Sequence, residues 1–329
     1  MLKYAELRET RKYDELYVLA VVSNPERYKS RYDLYQKFEQ HVLDSGAKLH
    51  VVEMAFGQRP HVVTTADNPT HIQLRSSEEL WHKENMVNIG VTRLPPTWRY
   101  MAWVDADILF SRPDWVEETI HQLQHFHVVQ MFSEAIDLTP KFDLFQRHMG
   151  FMKCYADGVV FDKNYTAGYE KVAMGPRVNM WHPGFAWAMR REAFDILGGL
   201  IDFGILGAGD NHMARALVGK VRHSYHHDIT PGYRKMLHEW QDRAEKYIRR
   251  NVGYVDGVIL HNWHGKKKDR RYRDRWKILV DNKYNPRNDI KRDWQGLYQL
   301  VDDGTPRFIE LRDNIRSYFR ARNEDSIDA

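Results

Sequence analysis

The sequence predicts an α/β protein built on a mostly parallel sheet with helices on both faces. Short apolar runs at residues 16–22, 48–56, 98–104 and 127–132 are typical of buried strands. Amphipathic stretches lie between these runs, and parallel strands need such helical crossovers. Because ligands bind beyond the carboxyl ends of the strands in sheets of this kind, we expect the functional residues to follow the strands.

The helices are predicted from apolar spacing and from residues that end a helix. After the first strand, aromatic and apolar residues recur every three or four positions from Tyr28 to Val42, and Gly46 ends the pattern. Gly198 ends another predicted helix, which follows a strand that begins near Trp181. The remaining helices are predicted at residues 78–91, 114–126 and 231–250, with a further one beginning at Asp210.

Three segments show no clear periodicity. The stretch before residue 78 is rich in Thr, Asn and His and predicts a loop. Residues 133–177 are rich in Gly, Tyr and Lys and predict long functional loops rather than a separate domain. Residues 293–329 predict a polar C-terminal extension, helical and basic in part, that ends in a mobile tail.

Composition is that of a globular protein with a sizeable core. The chain has 329 residues, of which 43% are hydrophobic and 29% charged. The apolar run at residues 16–22 is too short to span a bilayer, and the first residues lack the pattern of a secretory signal. A single cysteine, Cys154, excludes an intramolecular disulfide. These features together predict a cytoplasmic protein of a bacterium or a virus, with no membrane partner.

The net charge of +4 is unevenly distributed. Residues 261–292 hold twelve Lys and Arg against four Asp, a net charge of +8, so the rest of the chain carries −4. A basic segment of this density suggests a polyanionic partner, with phosphates the first candidate. The alternative is an ordinary solvated helix surface, and the sequence leaves both readings open.

Two carboxylates, Asp105 and Asp107, end the strand at residues 98–104. Acidic side chains at the end of a buried strand are costly unless something pairs with them. A divalent cation that bridges the diphosphate of a bound nucleotide is a natural partner, because Mg²⁺ and Mn²⁺ prefer hard oxygen ligands. The alternative is a solvated turn after the strand.

Two further segments suit a nucleotide and a sugar. In residues 82–90, Lys83 and Asn88 could contact the base, the ribose or the diphosphate, although both are common on helix surfaces. In residues 181–194, aromatic rings and a glycine suit a sugar-binding cleft, where rings cover C–H surfaces and backbone approaches closely. A core strand with bulky aromatic residues is the alternative there. The candidates in this second segment are Trp181, His182, Gly184 and Trp187.

The last two segments contain a candidate general base and candidate histidine ligands for the metal. Asp210 follows a glycine-rich turn at the start of a helix, where it could act as a general base or as a plain helix cap. His261 and His264 follow an apolar strand, and a neutral imidazole there could complete a metal site begun by a distant carboxylate. The lysines that follow could neutralise a diphosphate, and the arginines could contact a larger acceptor.

The order of these five segments resembles that of GT-A-fold nucleotide-sugar glycosyltransferases over residues 16–276. The resemblance implies Mn²⁺ or Mg²⁺ as cofactor, with Asp107 as a direct ligand and Asp105 as a ribose or more distant contact. It further implies His264 as a protein ligand, with His261 as a competitor, and Asp210 as the base of an inverting transfer.

Several segments also resemble the phage and bacterial relatives of the base J glucosyltransferase, which glucosylates hydroxymethyluracil in DNA. They are AWVDADILF, PGFAWAMRREAFDILGGL, GAGDNHMARAL, LHNWHGKKKDRRYRDRW and YFRARNEDSID. This resemblance implies a UDP-linked donor and a 5-hydroxymethylpyrimidine of DNA as acceptor, in agreement with the basic segment. The alternatives are a transferase acting on a glycan or a protein, and an inactive nucleic-acid-binding module.

These inferences assign one domain and a set of site residues. Residues 1–292 form the transferase domain, with a nucleotide-sugar half at about 16–132 and an acceptor half at about 133–292. The expected donor contacts are Asp105, Lys83, Asn88, Trp181, Gly184, Lys266 and Lys267. The expected acceptor contacts are Trp187, Lys268, Arg270, Arg271 and Arg273.

Overall fold

A computed structural model describes residues 14–162, 178–271 and 274–327 of the chain. The strands are β1 (Leu16–Ser23), β2 (Lys48–Phe56), β3 (His71–Ser76), β4 (Tyr100–Val104), β5 (Ile108–Phe110), β6 (Val128–Gln130), β7 (Glu134–Leu138), β8 (Leu144–Gly150), β9 (Val178–His182), β10 (Ala186–Arg190), β11 (Val252–Tyr254), β12 (Val258–His261), β13 (Ile290–Arg292) and β14 (Tyr298–Leu300). The α-helices are α1 (Lys29–Asp44), α2 (Lys83–Val91), α3 (Trp115–His125), α4 (Phe151–Ala156), α5 (Arg191–Leu197), α6 (Gly209–Leu217), α7 (Pro231–Arg243), α8 (Asp274–Asp281), α9 (Pro286–Asp289) and α10 (Pro306–Arg320). None of the helices in these ranges combines the length and apolar character needed to cross a membrane.

The larger sheet confirms the predicted α/β class. Its strand order is β11-β6-β10-β4-β1-β2-β3 among the described residues, and β10 alone runs antiparallel to both its neighbours. The run β4-β1-β2-β3 is parallel, as in doubly wound sheets. Helices cover both faces, and two hydrophobic clusters fill the space beneath them. β1 is buried along nearly its whole length for this reason.

A smaller sheet, of order β5-β12-β7-β8-β9, is the main departure from the sequence-based prediction. β7, β8 and α4 lie within residues 133–177, which were predicted as loops, and that prediction is wrong for this part of the segment. The usual alternation of apolar and polar residues along a strand is hard to see in β7 and β8. Asp137 and His148 are buried at positions where an apolar residue is expected. The small sheet thus carries buried polar groups to one side of the core.

Two other boundaries differ from the prediction. β3 lies in the stretch predicted as a loop, where it forms the edge of the larger sheet and is only partly buried, so its pattern is weak. The helix predicted at residues 78–91 begins only at Lys83. Residues 78–82 instead form an irregular segment, and its last three residues, Leu80, Trp81 and His82, line the cavity described below.

Residues 306–327 are packed against the rest of the protein, whereas the end of the chain was predicted as a mobile tail. α10 packs its apolar face into the core, and the chain then returns across α1. The Asp325 carboxylate accepts hydrogen bonds from the backbone N–H groups of Lys29 (3.0 Å) and Ser30 (2.9 Å). Glu324 is 3% exposed and pairs with Arg31 and Arg322. Long-range ion pairs therefore hold a segment that is polar by composition.

Candidate active site

A cavity of about 240 Å³ opens at the carboxyl ends of β1 and β4. The residues after β4, from Asp105 to Asp107, form one wall, and the end of β1 forms another. The start of α2, the turn before α6 and the end of α10 also contribute to the lining, as do α1, the turn before β10 and the residues from His261 to Arg275 that lie near β12 and α8. Five cationic side chains reach this space, namely Arg31, Lys83, Arg270, Arg275 and Arg322. Five acidic side chains line the same space, namely Glu26, Asp105, Asp107, Asp210 and Glu324. The cavity therefore holds charges of both signs, and it lies where α/β sheets bind ligands.

One carboxylate and two imidazoles converge at the edge of the cavity. His264 Nε2 lies 3.2 Å from Asp107 Oδ2, and His261 Nε2 lies 3.7 Å from the same oxygen. The two Nε2 atoms are 3.0 Å apart. The pairing of β12 with β5 brings these residues together, because it places His261 opposite Ile108, the residue that follows Asp107. The set can hold a metal ion, since one ligand atom from each residue lies within 4.8 Å of the others.

A buried carboxylate orients one of these imidazoles. β12 pairs with β7 so that His261 lies beside Asp137, and His261 Nδ1 is 2.6 Å from Asp137 Oδ1. Asp137 Oδ2 lies 2.8 Å from His148 Nε2 on β8. If His261 Nδ1 donates to Asp137, its Nε2 lone pair faces the cavity. Metal-binding histidines are commonly held by a carboxylate in this way.

The electrostatics of the cluster fit a cation. Asp107 Oδ1 is buried and has no hydrogen-bond partner among the described residues, which is costly for a carboxylate without a metal. Burial opposes the charge of Asp107, but His261 and His264 outweigh it and hold the pKa of this carboxyl well below its usual range. Burial also opposes protonation of His261, yet Asp107 and Asp137 raise its pKa to about 9. The donor set of one carboxylate and two imidazoles suits Mn²⁺.

Arg270 competes for one of the metal-ligand atoms. Its guanidinium lies 2.9 Å from His264 Nε2, so this lone pair serves either the guanidinium or a metal ion. Burial and Arg270 together hold the pKa of His264 well below its usual range, which keeps the imidazole neutral. The sequence assigned Arg270 to the acceptor, whereas the structure places it inside the cavity beside the metal cluster.

Lys83 and Asp105 form an ion pair on the opposite side of the acidic turn. Both side chains are largely buried, and both line the cavity. Burial raises the pKa of Asp105, and the ammonium of Lys83 opposes this shift. The two acids therefore have different partners: Asp105 pairs with Lys83, whereas Asp107 lies beside His261 and His264.

Asp210 faces the same cavity from the start of α6. Its Oδ1 accepts a hydrogen bond of 2.7 Å from the backbone N–H of Asn211. Gly184 makes room for the other oxygen, because a Cβ at this position would lie 2.5 Å from Asp210 Oδ2. The negative charge of Asp210 also contributes to raising the pKa of Lys83. A carboxylate is thus held at the cavity wall, apart from the metal cluster.

Several predicted contacts lie outside the cavity lining, and three of them, Asn88, Trp187 and Trp181, make contacts within the fold instead. The Asn88 amide bonds the backbone of Leu200 (3.1 Å) and the carboxylate of Asp202 (3.0 Å), so it joins α2 to the chain after α5. Trp187 is 2% exposed, stacks on Trp103 and donates from Nε1 to the Pro183 carbonyl. These two residues are structural, which corrects their assignment to the donor and the acceptor.

Trp181 is the third of these residues. Its ring packs edge-on against Phe151 and Phe161, and the Arg215 guanidinium lies 4.9 Å from the ring centroid. The neighbouring residue, His182, does line the cavity and stacks on Phe185. The aromatic segment therefore contributes to the cavity through His182 and its turn, and its tryptophans support the core.

The basic segment is divided by the fold. Arg271 is exposed and pairs with Asp274, and Lys266 is half-buried outside the cavity lining. Other cations of the segment pair with acids elsewhere, as Arg287 does with Glu239 and Arg292 does with Asp202. The side chains of Lys267 and Lys268 and the whole of Arg273 lie outside the described residues. The described part of the segment therefore does not form one acceptor surface from all these cations.

The sequence analysis missed several residues of the site. Asp137 and His148 lie in a segment without clear periodicity, and only the pairing of β7 with β12 connects them to His261. Arg31 lies on the first helix, and Glu324 lies in the C-terminal residues, yet both line the cavity. No local pattern marks these residues, since each acquires its role from a distant partner.

Comparisons with known proteins concern the fold. No protein-family model matches the sequence, and no curated protein matches it. The catalytic domain of Drosophila beta1,4-galactosyltransferase 7, in complex with xylobiose, is similar in structure at 11% identity, over 90% of this chain and 98% of that chain, with a TM-score of 0.40.

A variant of the Drosophila enzyme in complex with manganese, UDP-Gal and xylobiose matches at 12% identity, over 89% of this chain and 98% of that chain, with a TM-score of 0.38. Glucosyl-3-phosphoglycerate synthase from Mycobacterium tuberculosis, in complex with Mg²⁺ and uridine diphosphate, matches at 10% identity, over 90% of each chain, with a TM-score of 0.35. At this level of similarity, the residues of the cavity have to carry any inference about activity.

Proposed function

We propose that this protein is a metal-dependent glycosyltransferase that uses a nucleotide-sugar donor, UDP-linked, with Mn²⁺ or Mg²⁺ as cofactor. The observation that carries the proposal is the meeting of Asp107, His261 and His264 in the same cavity as a separate carboxylate, Asp210. A candidate metal site and a candidate base within one cavity suit sugar transfer from a nucleoside diphosphate. The GT-A resemblance of the sequence supports the same reading.

Each group of the cavity has a distinct task in this proposal. Asp107, His261 and His264 hold the metal, which when bound offsets the negative charge of the departing diphosphate. Lys83 and Arg270 line the same cavity and add positive charge. Asp210 accepts the proton of the acceptor hydroxyl. As the acceptor oxygen bonds to the anomeric carbon, the bond from that carbon to the diphosphate oxygen breaks, and the configuration inverts.

For the acceptor, we propose a 5-hydroxymethylpyrimidine in DNA. The proposal is supported by the resemblance to relatives of the base J glucosyltransferase and by the net charge of +8 over residues 261–292. The ion pairs of Arg271, Arg287 and Arg292 remove part of that charge from a phosphate-binding surface. A glycan or a protein is therefore the alternative acceptor, and an assay has to compare them.

The test is a transfer assay with Mn²⁺ and pooled nucleotide sugars. Acceptors are duplex DNA containing cytosine, thymine, hydroxymethylcytosine or hydroxymethyluracil, and the nucleosides are read by mass after digestion. A hexose or pentose added to one hydroxymethyl base is the expected result. Nucleotide release without addition to DNA points to the glycan or protein acceptor. No turnover of any donor in Mn²⁺ contradicts the transferase proposal and favours an inactive binding module.

Two variants assign the roles within the cavity. Asp107→Ala should abolish transfer and weaken Mn²⁺ binding, whereas Asp210→Asn should abolish transfer and retain Mn²⁺ binding. Asp281→Ala is the matched control, because Asp281 is an exposed aspartate outside the cavity lining. Near-normal turnover by a folded Asp107→Ala protein contradicts the metal assignment.

A further inference from the structure

Residues near the C-terminus lie against the loop that carries His264. Residues 322–326, here called the C-terminal strap, follow α10 and return across the start of α1. Residues 262–265, here called the histidine loop, follow β12 and lie outside helices and strands. Within the strap, Arg322 and Glu324 are buried and line the cavity. Neither the proposed metal ligands nor the proposed base belongs to the strap, so its closeness to the site calls for a physical reason.

The backbone of the strap packs closely on Gly265, the residue after His264. Gly265 has a φ of +86°, in the left-handed region that favours glycine. A Cβ at this position would lie 2.8 Å from Glu324 Cα and 3.1 Å from the carbonyl carbon of Asn323, both shorter than ordinary contacts. A side chain on Gly265 would therefore displace the strap or the histidine loop.

The strap also contacts the two residues before Gly265. Trp263 donates a hydrogen bond of 2.6 Å from Nε1 to the backbone carbonyl of Ser326. Glu324 Oε2 lies 3.9 Å from His264 Nδ1, on the ring edge away from the nitrogen that faces Asp107. Three consecutive residues of the histidine loop thus have partners in the strap, and the middle one is a proposed metal ligand.

The histidine loop and the strap are each anchored to another element. Asn262 donates from its backbone N–H and from its side-chain amide to the carbonyl of Asp107, and both hydrogen bonds are 3.0 Å long. The strap is anchored to α1, because the Asp325 carboxylate accepts hydrogen bonds from the backbone N–H groups of Lys29 and Ser30. The histidine loop is therefore held between the acidic turn and a strap fixed to α1.

We propose that the C-terminal strap is a positioning element of the metal site, which holds His264 where it can bind the ion. The inference rests on the proposed function, because it takes His264 as a metal ligand. A short irregular loop loses conformational entropy when it is ordered, and contacts with a fixed strap supply that ordering before the metal binds. Loss of contacts that orient a metal ligand lowers metal affinity by about 10-fold to 100-fold.

The first experiment is an EPR titration of Mn²⁺ binding to the full chain. Gly265→Ala should weaken binding by about 10-fold to 100-fold, and Asp325→Ala, which acts on the strap from the side of α1, should weaken it by at least about threefold. Two matched controls should keep the wild-type affinity. Gly158→Ala has the same φ of +86° with no atom within 4 Å of the new Cβ, and Asp302→Ala removes an exposed carboxylate that accepts the Gly304 N–H at 2.9 Å.

The double variant tests whether Gly265 acts through the strap. Once Asp325→Ala has released the strap, Gly265→Ala should weaken Mn²⁺ binding by less than about threefold further, because the new Cβ no longer meets a fixed backbone. Fully additive losses overturn the inference, and so does wild-type affinity in Asp325→Ala.

Amide hydrogen exchange of the metal-free chain tests the strap independently of the proposed function. The amides of the histidine loop should exchange faster in Asp325→Ala than in the wild type, and unchanged exchange overturns the inference. If the wild type binds no Mn²⁺, the proposed metal site fails, whereas the exchange rates still decide whether the strap holds the loop.

Discussion

Replacing Gly184 by alanine should impair catalysis far more than folding. The new Cβ would lie 2.5 Å from Asp210 Oδ2 and 3.0 Å from His182 Cε1, whereas ordinary contacts begin at 3.4 Å. The carboxylate oxygen must therefore move by about 0.9 Å, the difference between 2.5 and 3.4 Å. It can do so by rotation of the aspartate side chain, so the backbone is not forced to shift.

The expected rate loss follows from this displacement. A shift of about 1 Å in a reacting group lowers the rate by about 100-fold, which corresponds to about 2.7 kcal/mol in the activation free energy. The free energy of unfolding should change by no more than about 1 kcal/mol, because alanine also reduces the entropy of the unfolded chain. Mn²⁺ affinity should not change, because the atoms nearest the new Cβ belong to Asp210 and His182 rather than to Asp107, His261 or His264.

The assay compares kcat, the Mn²⁺ dissociation constant and urea unfolding for Gly184→Ala and the wild type. A double variant provides the control, because Gly184→Ala should lower the rate by less than about threefold once Asp210→Asn has removed the base. Wild-type kcat in Gly184→Ala would refute the reasoning. A full 100-fold further loss in the Asp210→Asn background would also refute it, since the effect would then not act through Asp210.

Two other perturbations test the supporting residues. Asp137→Asn should weaken Mn²⁺ binding by about 10-fold to 100-fold in an EPR titration, because it disturbs the carboxylate that orients His261, and unchanged affinity would argue against that role. Glu324→Gln should lower the free energy of unfolding by about 1–3 kcal/mol at pH 7, because it leaves the Arg31 guanidinium without its buried partner. Arg31 and Arg322 hold the pKa of Glu324 below its ordinary value of 4.5 despite burial, so this stabilisation is complete above that value and is lost as the pH falls below it. In urea unfolding at pH 7, 5 and 3, the difference in free energy of unfolding between Glu324→Gln and the wild type should therefore become smaller toward low pH. The control Glu310→Gln, at an exposed position of α10, should match the wild type at each pH.

The parts of the fold predicted correctly are those with strong local patterns. β1 and β4 are almost entirely apolar, β2 is largely apolar, and α1 and α3 have regular apolar spacing, so their burial follows mainly from neighbouring residues. β3, β7 and β8 were missed for the opposite reason. β3 lies at the edge of its sheet, and β7 and β8 are internal strands with buried polar residues whose partners become clear only from the sheet pairing.

The candidate site shows the same division. Asp105, Asp107 and Asp210 were predicted as site residues because each follows a recognisable strand or begins a helix, and the structure places all three in the cavity lining. Asn88 and Trp187 were misplaced because residue type alone cannot say which face of an element meets the core. Their hydrogen bonds to Asp202 and Pro183 depend on how α2 and β10 pack.

By itself, the sequence determined the α/β class, the acidic turn after a buried strand and the residue types of the proposed metal and base site. These features are encoded within a few residues of one another, where strand and helix periodicity acts. The tertiary structure alone decided which groups meet. Asp107, Asp137 and His261 come together because β12 pairs with both β5 and β7, and Glu324 reaches Arg31 because α10 returns the chain across α1. Such contacts depend on sheet register and long-range packing, which no local pattern specifies.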